Sequence, residues 1–392
     1  MSIELRSLDE LVDPLRPITY GVVKPGPEDP EAGVVFVRGG DIVDGAIVEA
    51  NLRTITQEVS APYSRTILRG GELVISLVGN PGAVAVVPDR LAGANLARQA
   101  GLIALRNEFH APYLMYYLMS PSGKAELFQR TQGAVQQVIN LSDLRKIRVR
   151  IPPLPVQKRV AGILSAFDDL IENNRRRIAL LEQSARLLYR EWFVHLRFPG
   201  HEHVKVVDGV PEGWERRALG DLYENLDRMR VPLSVLEREK RRGEYPYHGA
   251  AGVLDYVGEF IFEGRYLLMG EDGTVITSRG TPMLQLVDGK FWVNNHAHVM
   301  KAALASVEFL YCALSEYQIQ GHVTGVAQPK ITQKSMNRIP VLLPPDVLRL
   351  EFQGAVQGLF DQRFTLRTYI DKLRQARDLL LPRLISGELR LA

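Results

Sequence analysis

The chain contains 392 residues, of which 46% are apolar and 24% are charged, a composition typical of an ordinary water-soluble protein. Charged residues among the first ten positions disfavour a secretory signal, and no apolar stretch reaches the roughly 18 residues that span a membrane. The single Cys312 excludes an internal disulfide and a cysteine-rich zinc site. We therefore expect a cytoplasmic protein without membrane association, and its length favours two globular domains.

The net charge of +3 is not concentrated in the globular parts of the chain. Residues 1–151 carry 16 Lys and Arg against 16 Asp and Glu, and residues 201–343 carry 16 against 18. A protein of this kind binds nucleic acid only if its basic residues are gathered on one face of each domain. Composition alone does not show that they are.

Residues 1–152 predict a mixed α/β domain of short strands and many turns. Residues 34–37 and 72–77 have the composition of strands, while paired glycines and Asn80-Pro-Gly82 indicate turns. Residues 112–119 are expected to be helical. The prolines at 152, 153 and 155 keep the next helix from beginning before about residue 155.

A long helix is predicted from there to Trp192, roughly 38 residues or about 57 Å. A second globular stretch follows, with strands expected at 245–261, 266–269 and 291–299, and a second long helix follows Pro344 and Pro345. The predicted domains are 1–152 and 199–343, each followed by one long helical spacer, at 153–198 and 344–392.

The two halves of the chain repeat each other with a constant offset, from Gly133 to Gly325, from Gln136 to Gln328 and on to each Pro-Pro pair. Both long helices keep this offset, and their apolar residues alternate in steps of four and three, as in the seam of a coiled coil. The seam residues are Leu164, Phe167, Ile171, Ile178, Leu181, Leu188, Val356, Leu359, Leu366, Ile370, Leu373 and Leu380.

An isolated helix of this length needs a partner, and the other helix of the same chain is the nearest one. Because a globular domain separates the two helices, the chain can return along the first helix in the opposite direction. The predicted fold is α+β, with two globular α/β domains separated by an antiparallel coiled coil and related by a pseudo-twofold internal repeat.

Several segments resemble the specificity subunit of type I DNA restriction-modification systems. The similar segments are Ile151-Pro-Pro-Leu-Pro155 with Gln157 and Lys158, Leu164-Ser-Ala-Phe-Asp-Asp169, Glu191-Trp-Phe193, Pro211-Glu-Gly-Trp214, Asn294-Asn-His-Ala-His298 and Leu384-Ile-Ser-Gly-Glu-Leu-Arg390. The first half lacks the Pro-Glu-Gly-Trp opening, and the second helix lacks the Gln-Lys pair.

The resemblance implies a non-catalytic subunit of a DNA adenine N6-methyltransferase and restriction complex. Each globular half would be a target recognition domain that reads one part of a bipartite double-stranded DNA sequence. The helices would set the gap between the parts and dock the modification subunits, of which two are expected. S-adenosylmethionine would belong to the modification subunits and ATP with Mg²⁺ to restriction subunits, so no cofactor and no metal are expected on this chain.

Motifs for catalysis are absent from the sequence, which has neither an Asn/Asp/Ser-Pro-Pro-aromatic motif nor a phosphate-binding loop. Asp288-Gly-Lys290, with Asp272 upstream, faintly resembles a nuclease metal site, but Asp-Gly between strands is more often a hairpin turn. His296 and His298 could ligate a metal, yet no third ligand is apparent in the sequence. We therefore predict no catalytic residues.

Two alternatives stay open at this point. One is an enzyme whose second half is a nuclease or a methyltransferase, which activity of the purified chain would reveal. The other is a coiled-coil adaptor unrelated to DNA, which a lack of sequence-selective binding by the complete complex would favour.

The candidate DNA-binding residues have side chains that pair with purine edges or phosphates. Those of the first half are Arg38, Arg65, Arg69, Gln132, Gln136, Gln137 and Asn140, and those of the second half are His248, Arg279, Asn294, Asn295, Gln328 and Lys330. The alternative is that the repeated loops merely seat each domain on its helix.

Overall fold

The computed structural model describes residues 4–31, 33–43, 45–132, 137–325 and 328–389. Contacts between Cα atoms divide the chain into two compact units, Met1–Glu172 with Ile370–Ala392, and Asn173–Tyr369. Each unit therefore contains one globular domain and one section of each long helix.

Short apolar strands separated by turns build the first domain. Its strands are β1 (Glu4–Ser7), β2 (Thr19–Tyr20), β3 (Val34–Val37), β4 (Ile42–Val43), β5 (Ala46–Ile47), β6 (Arg53–Ile55), β7 (Leu73–Ser76), β8 (Val84–Val86), β9 (Asn95–Leu96), β10 (Ala100–Ile103), β11 (Thr131–Gln132), β12 (Val138–Ile139) and β13 (Arg148–Ile151). Its helices are α1 (Leu8–Leu11), α2 (Gln57–Ser60), α3 (Ala111–Met119), α4 (Pro121–Phe128) and α5 (Leu141–Arg145).

Two sheets organise the first domain. Strands β2-β10-β7-β8 form an antiparallel sheet in that order, and β6-β3-β9 form a second sheet in which β3 and β9 are parallel. The apolar face of β7, with Leu73 and Ile75, packs with Tyr113 and Leu114 of α3 in one core. Strand β1 pairs with β13, so the chain leaves the domain beside its first strand.

The second unit contains the end of the first long helix, α6 (Leu154–Tyr189), which continues as one π-helical turn over Arg190–Val194. Its strands are β14 (Val206–Val207), β15 (Val210–Pro211), β16 (Glu215–Ala218), β17 (Tyr223–Asn225), β18 (Arg242–His248), β19 (Val253–Val257), β20 (Phe262–Glu263), β21 (Tyr266–Gly270), β22 (Leu284–Val287), β23 (Lys290–Val293), β24 (Ala297–Ala302) and β25 (Pro340–Leu343). Its helices are α7 (Val235–Lys240), α8 (Val307–Ser315), α9 (Gln333–Asn337) and the start of α10 (Asp346–Ser386).

The second domain repeats the topology of the first. Strands β17-β24-β21-β22 form the antiparallel sheet, and β19-β18-β23-β20 contain the parallel pair β18 and β23. Strand β16 pairs with β25 as β1 pairs with β13, and the repeated positions Ile151 and Leu343 lie opposite Glu4 and Glu215. The predicted internal repeat and α+β fold are confirmed.

Two long predicted strands are wrong in detail. Residues 245–261 form parts of β18 and β19, which fold back on each other around Gly252, a glycine with a φ of 157°. Residues 291–299 form the end of β23 and the start of β24, separated by a turn at 294–296. Both segments consist largely of residues that favour strands, so composition alone does not indicate the turns at their glycine and asparagine residues.

The two long helices run antiparallel. In the first unit Arg377 Nη1 of α10 lies 2.6 Å from Asp168 Oδ1 of α6, and in the second unit Arg363 Nε lies 2.5 Å from Glu182 Oε1. Within the second unit the rings of Tyr189 and Phe352 also meet, with 6.0 Å between their centroids, so the residue number rises along α6 as it falls along α10. No helix in the described part of the chain is long and apolar enough to cross a membrane.

The predicted seam residues are all buried or half-buried. Leu164, Ile171, Val356, Leu366 and Ile370 are buried, and the other seven are half-buried. Each contributes roughly 1.5–3 kcal/mol when it is fully removed from water. In each unit the seam joins the core of the adjacent domain, which explains why a chain with ordinary apolar content supports such long helices.

Candidate nucleic-acid interface

Three segments meet at one edge of the antiparallel sheet in the first domain. Leu77 N donates to Gln99 O at 2.7 Å, and Ile139 N donates to Leu77 O at 3.0 Å. Val78 and Val138 form an isolated β-bridge beside them. We call the segments 77–80, 97–99 and 137–139 the first reading face.

The second domain brings the corresponding segments together. Glu271 N donates to His296 O at 2.8 Å, and Ile331 N donates to Glu271 O at 2.8 Å. Asp272 and Lys330 form the bridge that corresponds to Val78 and Val138. The segments 271–273, 294–296 and 328–331 form the second reading face, and the described ends of the repeated loops, 137–139 and 328–331, therefore occupy equivalent places in the two domains.

A glycine is required where the second repeated loop begins. Gly325 has a φ of 83°, and a Cβ atom on it would lie 2.4 Å from Gln328 O. Any side chain at this position would both strain the backbone and collide with it. The equivalent Gly133 lies outside the described residues, as does Gln136.

The first-half candidates differ in their surroundings. Gln137 and Asn140 are exposed, and Gln132 lies in β11, although its side chain is outside the described part. Gln137 lines a surface cleft of about 540 Å³ together with polar and aromatic side chains that the sequence did not single out. These are Asn80, Lys124, Phe128 and Thr131.

Arg38 has an intramolecular role that its sequence context did not reveal. Its Nη2 lies 2.8 Å from Asp41 Oδ1, and this hydrogen-bonded carboxylate raises the pKa of the guanidinium. Arg65 and Arg69 are exposed, and their side chains make no hydrogen bond or ion pair with any described residue. They are therefore better placed than Arg38 to contact phosphates.

Two of the second-half candidates are buried. His248 is 7% exposed and its Nδ1 lies 2.8 Å from Gln285 Oε1, while Asn294 is 4% exposed and its Oδ1 accepts from His296 N. Neither side chain is presented to a ligand in this conformation. Arg279, Asn295, Gln328 and Lys330 are exposed, and Lys330 Nζ lies 3.4 Å from Glu271 Oε1.

Comparison of equivalent positions in the two domains identifies two further candidate DNA-binding residues, which the sequence did not indicate. The position of Asn295 in the second face corresponds to Arg98 in the first, and that of His296 to Gln99, because Gln99 O and His296 O accept equivalent hydrogen bonds. Arg98 and Gln99 are both exposed. Their residue types suit base and phosphate contacts, but no local motif marked them.

The histidines near 296 do not form a two-histidine metal site. His296 Nδ1 pairs with Asp272, whereas His298 Nδ1 lies 2.6 Å from Asp227 Oδ2. Asp227, Glu271 and His298 do cluster within 4.8 Å of one another, a grouping that the sequence hid because Asp227 is distant in the chain.

Arg230 already supplies the positive charge in this cluster. Its Nη1 lies 2.7 Å from Glu271 Oε2 and 2.8 Å from Ala297 O, and its Nη2 lies 3.7 Å from Asp227 Oδ2. With a guanidinium between the two carboxylates, the geometry is that of an ion-pair network rather than a metal centre.

The residues with a faint resemblance to a nuclease site have separate partners. Asp288 pairs with Arg265 at 3.7 Å, and Gly289 has a φ of 89° in the turn between β22 and β23. A turn is present at the predicted place, but the predicted hairpin is wrong, because β22 and β23 belong to different sheets and do not pair with each other.

Comparison with known proteins gives one consistent family. A family model described as the type I restriction modification DNA specificity domain matches residues 28–183 and 211–347. The specificity subunit of the type I restriction enzyme MjaIX from Methanocaldococcus jannaschii is 25% identical over 86% of this chain and 82% of that protein. The specificity subunit of the type I restriction enzyme EcoBI from Escherichia coli is 29% identical over 45% of this chain and 39% of its own.

A solved structure has the same fold. The crystal structure of the S subunit of a type I restriction-modification system from M. genitalium covers 98% of this chain and 96% of its own, with a TM-score of 0.55 and 19% identity. The family model matches both globular domains and more than half of the sequence. The chain therefore belongs to the family of type I restriction-modification specificity subunits, the non-catalytic components that recognise DNA sequence and partner with the other subunits of these systems.

Proposed function

We propose that each globular domain reads one part of a bipartite DNA target through its reading face. The observation that carries this proposal is the equivalent convergence of three segments in both domains, marked by the bridges Val78 to Val138 and Asp272 to Lys330. A target in two parts calls for two similar readers, and the internal repeat provides them.

The exposed polar side chains of both faces suit recognition of double-stranded DNA. Gln99, Gln137, Asn295 and Gln328 offer amides that pair with adenine edges, and Arg98 offers a guanidinium fork that pairs with phosphate oxygens or with guanine. Arg65, Arg69 and Arg279 are exposed cations for phosphates or bases. Since the domains are nearly neutral overall, we expect the partner subunits to supply much of the electrostatic affinity.

The long helices set the gap between the two parts and dock the modification subunits. Leu180, Leu187 and Val194 are exposed at intervals of seven residues, which leaves an apolar stripe on the α6 side of the second unit uncovered. Such a stripe suits a partner protein better than solvent. Two modification subunits, together with restriction subunits, complete the proposed assembly.

The proposed chemistry belongs to those partners. S-adenosylmethionine for adenine N6 methylation would bind the modification subunits, and ATP with Mg²⁺ would bind the restriction subunits. This chain would carry no cofactor and would work in the cytoplasm, together with its DNA target. No observation favours a catalytic second half or an adaptor unrelated to DNA.

Genome-wide mapping of N6-methyladenine tests the proposal directly. Cells that carry the chain and its modification partner should show methylation at one bipartite motif, and deletion of this chain alone should abolish it. Reintroduction of the intact gene is the control. An unchanged methylation pattern after deletion would contradict the proposed function.

A further inference from the structure

We propose that His298 is a positioning residue for DNA reading by the second domain, because its imidazole fixes the segment 328–331 of the second reading face. The inference rests on the proposed function and adds a residue that contacts no DNA itself. His298 lies in β24 and is 1% exposed.

Both ring nitrogens of His298 face hydrogen-bond acceptors. Nδ1 lies 2.6 Å from Asp227 Oδ2, and Nε2 lies 2.8 Å from the backbone carbonyl of Ile331. A carbonyl oxygen can only accept, so Nε2 must donate to it. The Asp227 carboxylate accepts from Nδ1, so the imidazole donates at both ends and links Asp227 to the reading face.

The neighbours of Asp227 favour the ionised form of its carboxyl group. Burial raises the pKa of its carboxyl, but the hydrogen bond from His298, its positive charge, the hydrogen bond from Val299 N and the charge of Arg230 together bring that pKa below its usual value. Asp227 Oδ1 lies 2.8 Å from Val299 N, so one carboxylate orients both the His298 ring and its strand.

The ring contacts two carboxylates, Asp227 and Glu271, which in turn contact Arg230 and Lys330. Asp227 and Arg230 come from the turn after β17, Glu271 follows β21, and Lys330 belongs to the segment that the ring holds. Glu271 Oε2 lies 3.7 Å from His298 Nδ1 and 2.7 Å from Arg230 Nη1, while its Oε1 lies 3.4 Å from Lys330 Nζ. The Lys330 ammonium is thus held by a carboxylate of the same half-buried network that contains His298.

The first domain has no such hydrogen-bond and ion-pair network at the equivalent described positions. Strand pairing places Gly101 opposite Ile75 where the second domain has His298 opposite Met269. The positions of Glu271 and Lys330 are taken by Leu77 and Val138. Reading of the first part of the target therefore provides an internal control within the same molecule.

Two conservative variants separate the two hydrogen bonds of the ring. In His298→Gln the amide nitrogen reaches the place of Nε2 and can still donate to Ile331 O, whereas in His298→Asn it reaches only the place of Nδ1. Both variants remove the imidazole, so they share any loss that arises from packing or charge. Only the asparagine variant leaves the buried carbonyl of Ile331 unpaired.

The experiment uses the complete methyltransferase complex with each variant. Methylation rates are measured on the cognate duplex and on duplexes with single-base changes in either part of the target. We expect His298→Asn to reduce the ratio of methylation rates between the cognate duplex and duplexes changed in the second part by roughly tenfold, which is the effect of one unpaired buried acceptor. We expect His298→Gln to keep it within about threefold, and neither variant to change discrimination within the first part.

Several outcomes would overturn the inference. Equal losses in both variants would assign the effect to charge or packing, and no loss in either would remove any role in reading. Loss of second-part discrimination by the wild-type complex on addition of a chelator would identify the cluster as a metal site instead. A wild-type complex that ignores base changes in both parts would overturn the proposed function and this inference with it.

Discussion

Burial controls the charge of His248 at the end of β18. Removal from water lowers the pKa of its imidazole to about 4, and the hydrogen bond with Gln285 opposes this shift only in part. Its Nε2 is buried without a hydrogen-bond partner among the described residues. His248 is therefore neutral near pH 7, and protonation would place an unpaired charge beside the ring of Phe291.

This burial predicts that acid destabilises the second domain. An unfolded histidine has a pKa near 6.5, so between about pH 6.5 and 4 the unfolded chain binds a proton that the folded chain excludes. The contribution to stability is complete above about pH 6.5 and falls by up to about 3 kcal/mol as the pH drops to 4. Urea unfolding at several pH values measures the free energy of unfolding, and in His248→Gln this free energy should depend less on pH than in the wild-type protein. Identical slopes in both proteins would contradict the prediction.

DNA contact by the first domain can be tested with a variant of Arg98, and a variant of Arg38 serves as the control. Arg98 is exposed on the first reading face, whereas Arg38 is held by Asp41. We expect Arg98→Ala to weaken DNA binding by the complete complex and to reduce the salt dependence of its affinity by about one phosphate contact. Arg38→Ala should leave the salt dependence unchanged. Titrations at several salt concentrations measure both, and equal effects would remove Arg98 from the interface.

At the scale of elements, two ion pairs, Arg377 with Asp168 and Arg363 with Glu182, connect the long helices to each other and to the adjacent domain. Asp168 Oδ2 accepts from Tyr116 of α3 at 2.6 Å, while its Oδ1 accepts from Arg377. In the second unit Arg363 binds Glu182 and also donates to Leu286 O at 3.1 Å. Each pair is thus a junction of two helices and the domain beside them.

Removal of one of these ion pairs should lower the free energy of unfolding. Arg377→Met leaves the carboxylate of Asp168 without its cation, and we expect it to lower the free energy of unfolding by about 1–3 kcal/mol. Arg374, in the same helix, pairs with Asp371 at 3.5 Å in a more exposed setting, so Arg374→Met should cost under about 0.5 kcal/mol. Chemical denaturation measures both variants. Similar losses would show that the junction is no stronger than a surface ion pair.

The helices and the repeat could be predicted from the sequence because proline pairs and a period of four and three residues are local signals. The roles of Arg363 and Arg377 could not be predicted, since their partners Glu182 and Asp168 become neighbours only after the helices pair. The reading faces were found only in part. Gln328 could be predicted because it belongs to the internal repeat. Arg98 and Gln99 could not, since only strand pairing places them on the first reading face. The burial of His248 and Asn294 depends on tertiary packing, which the sequence does not show.

At the scale of the whole molecule, the repeat predicts that the two domains read independently. Replacement of residues 1–152 by the first half of another family member should change one part of the methylated motif only. The other part should stay unchanged, because the second reading face contains no residue of the exchanged half. Sequencing of methylated adenines measures the outcome, with the reciprocal exchange of residues 199–343 as the control. A hybrid that alters both parts would show that the readers are coupled.

The length of the helices should set the gap between the two parts of the target. A seven-residue insertion in α6 between Asp168 and Glu182, matched by one in α10 between Arg363 and Arg377, keeps the seam in phase and preserves both ion pairs. Each helix becomes longer by about 10.5 Å, close to the rise of three base pairs. We expect a methylated motif with both parts unchanged and a gap about three base pairs longer. An insertion in α6 alone is the control, because it breaks the seam and should reduce assembly. An unchanged gap in an active complex with paired insertions would mean that the partner subunits, rather than the helices, fix the distance.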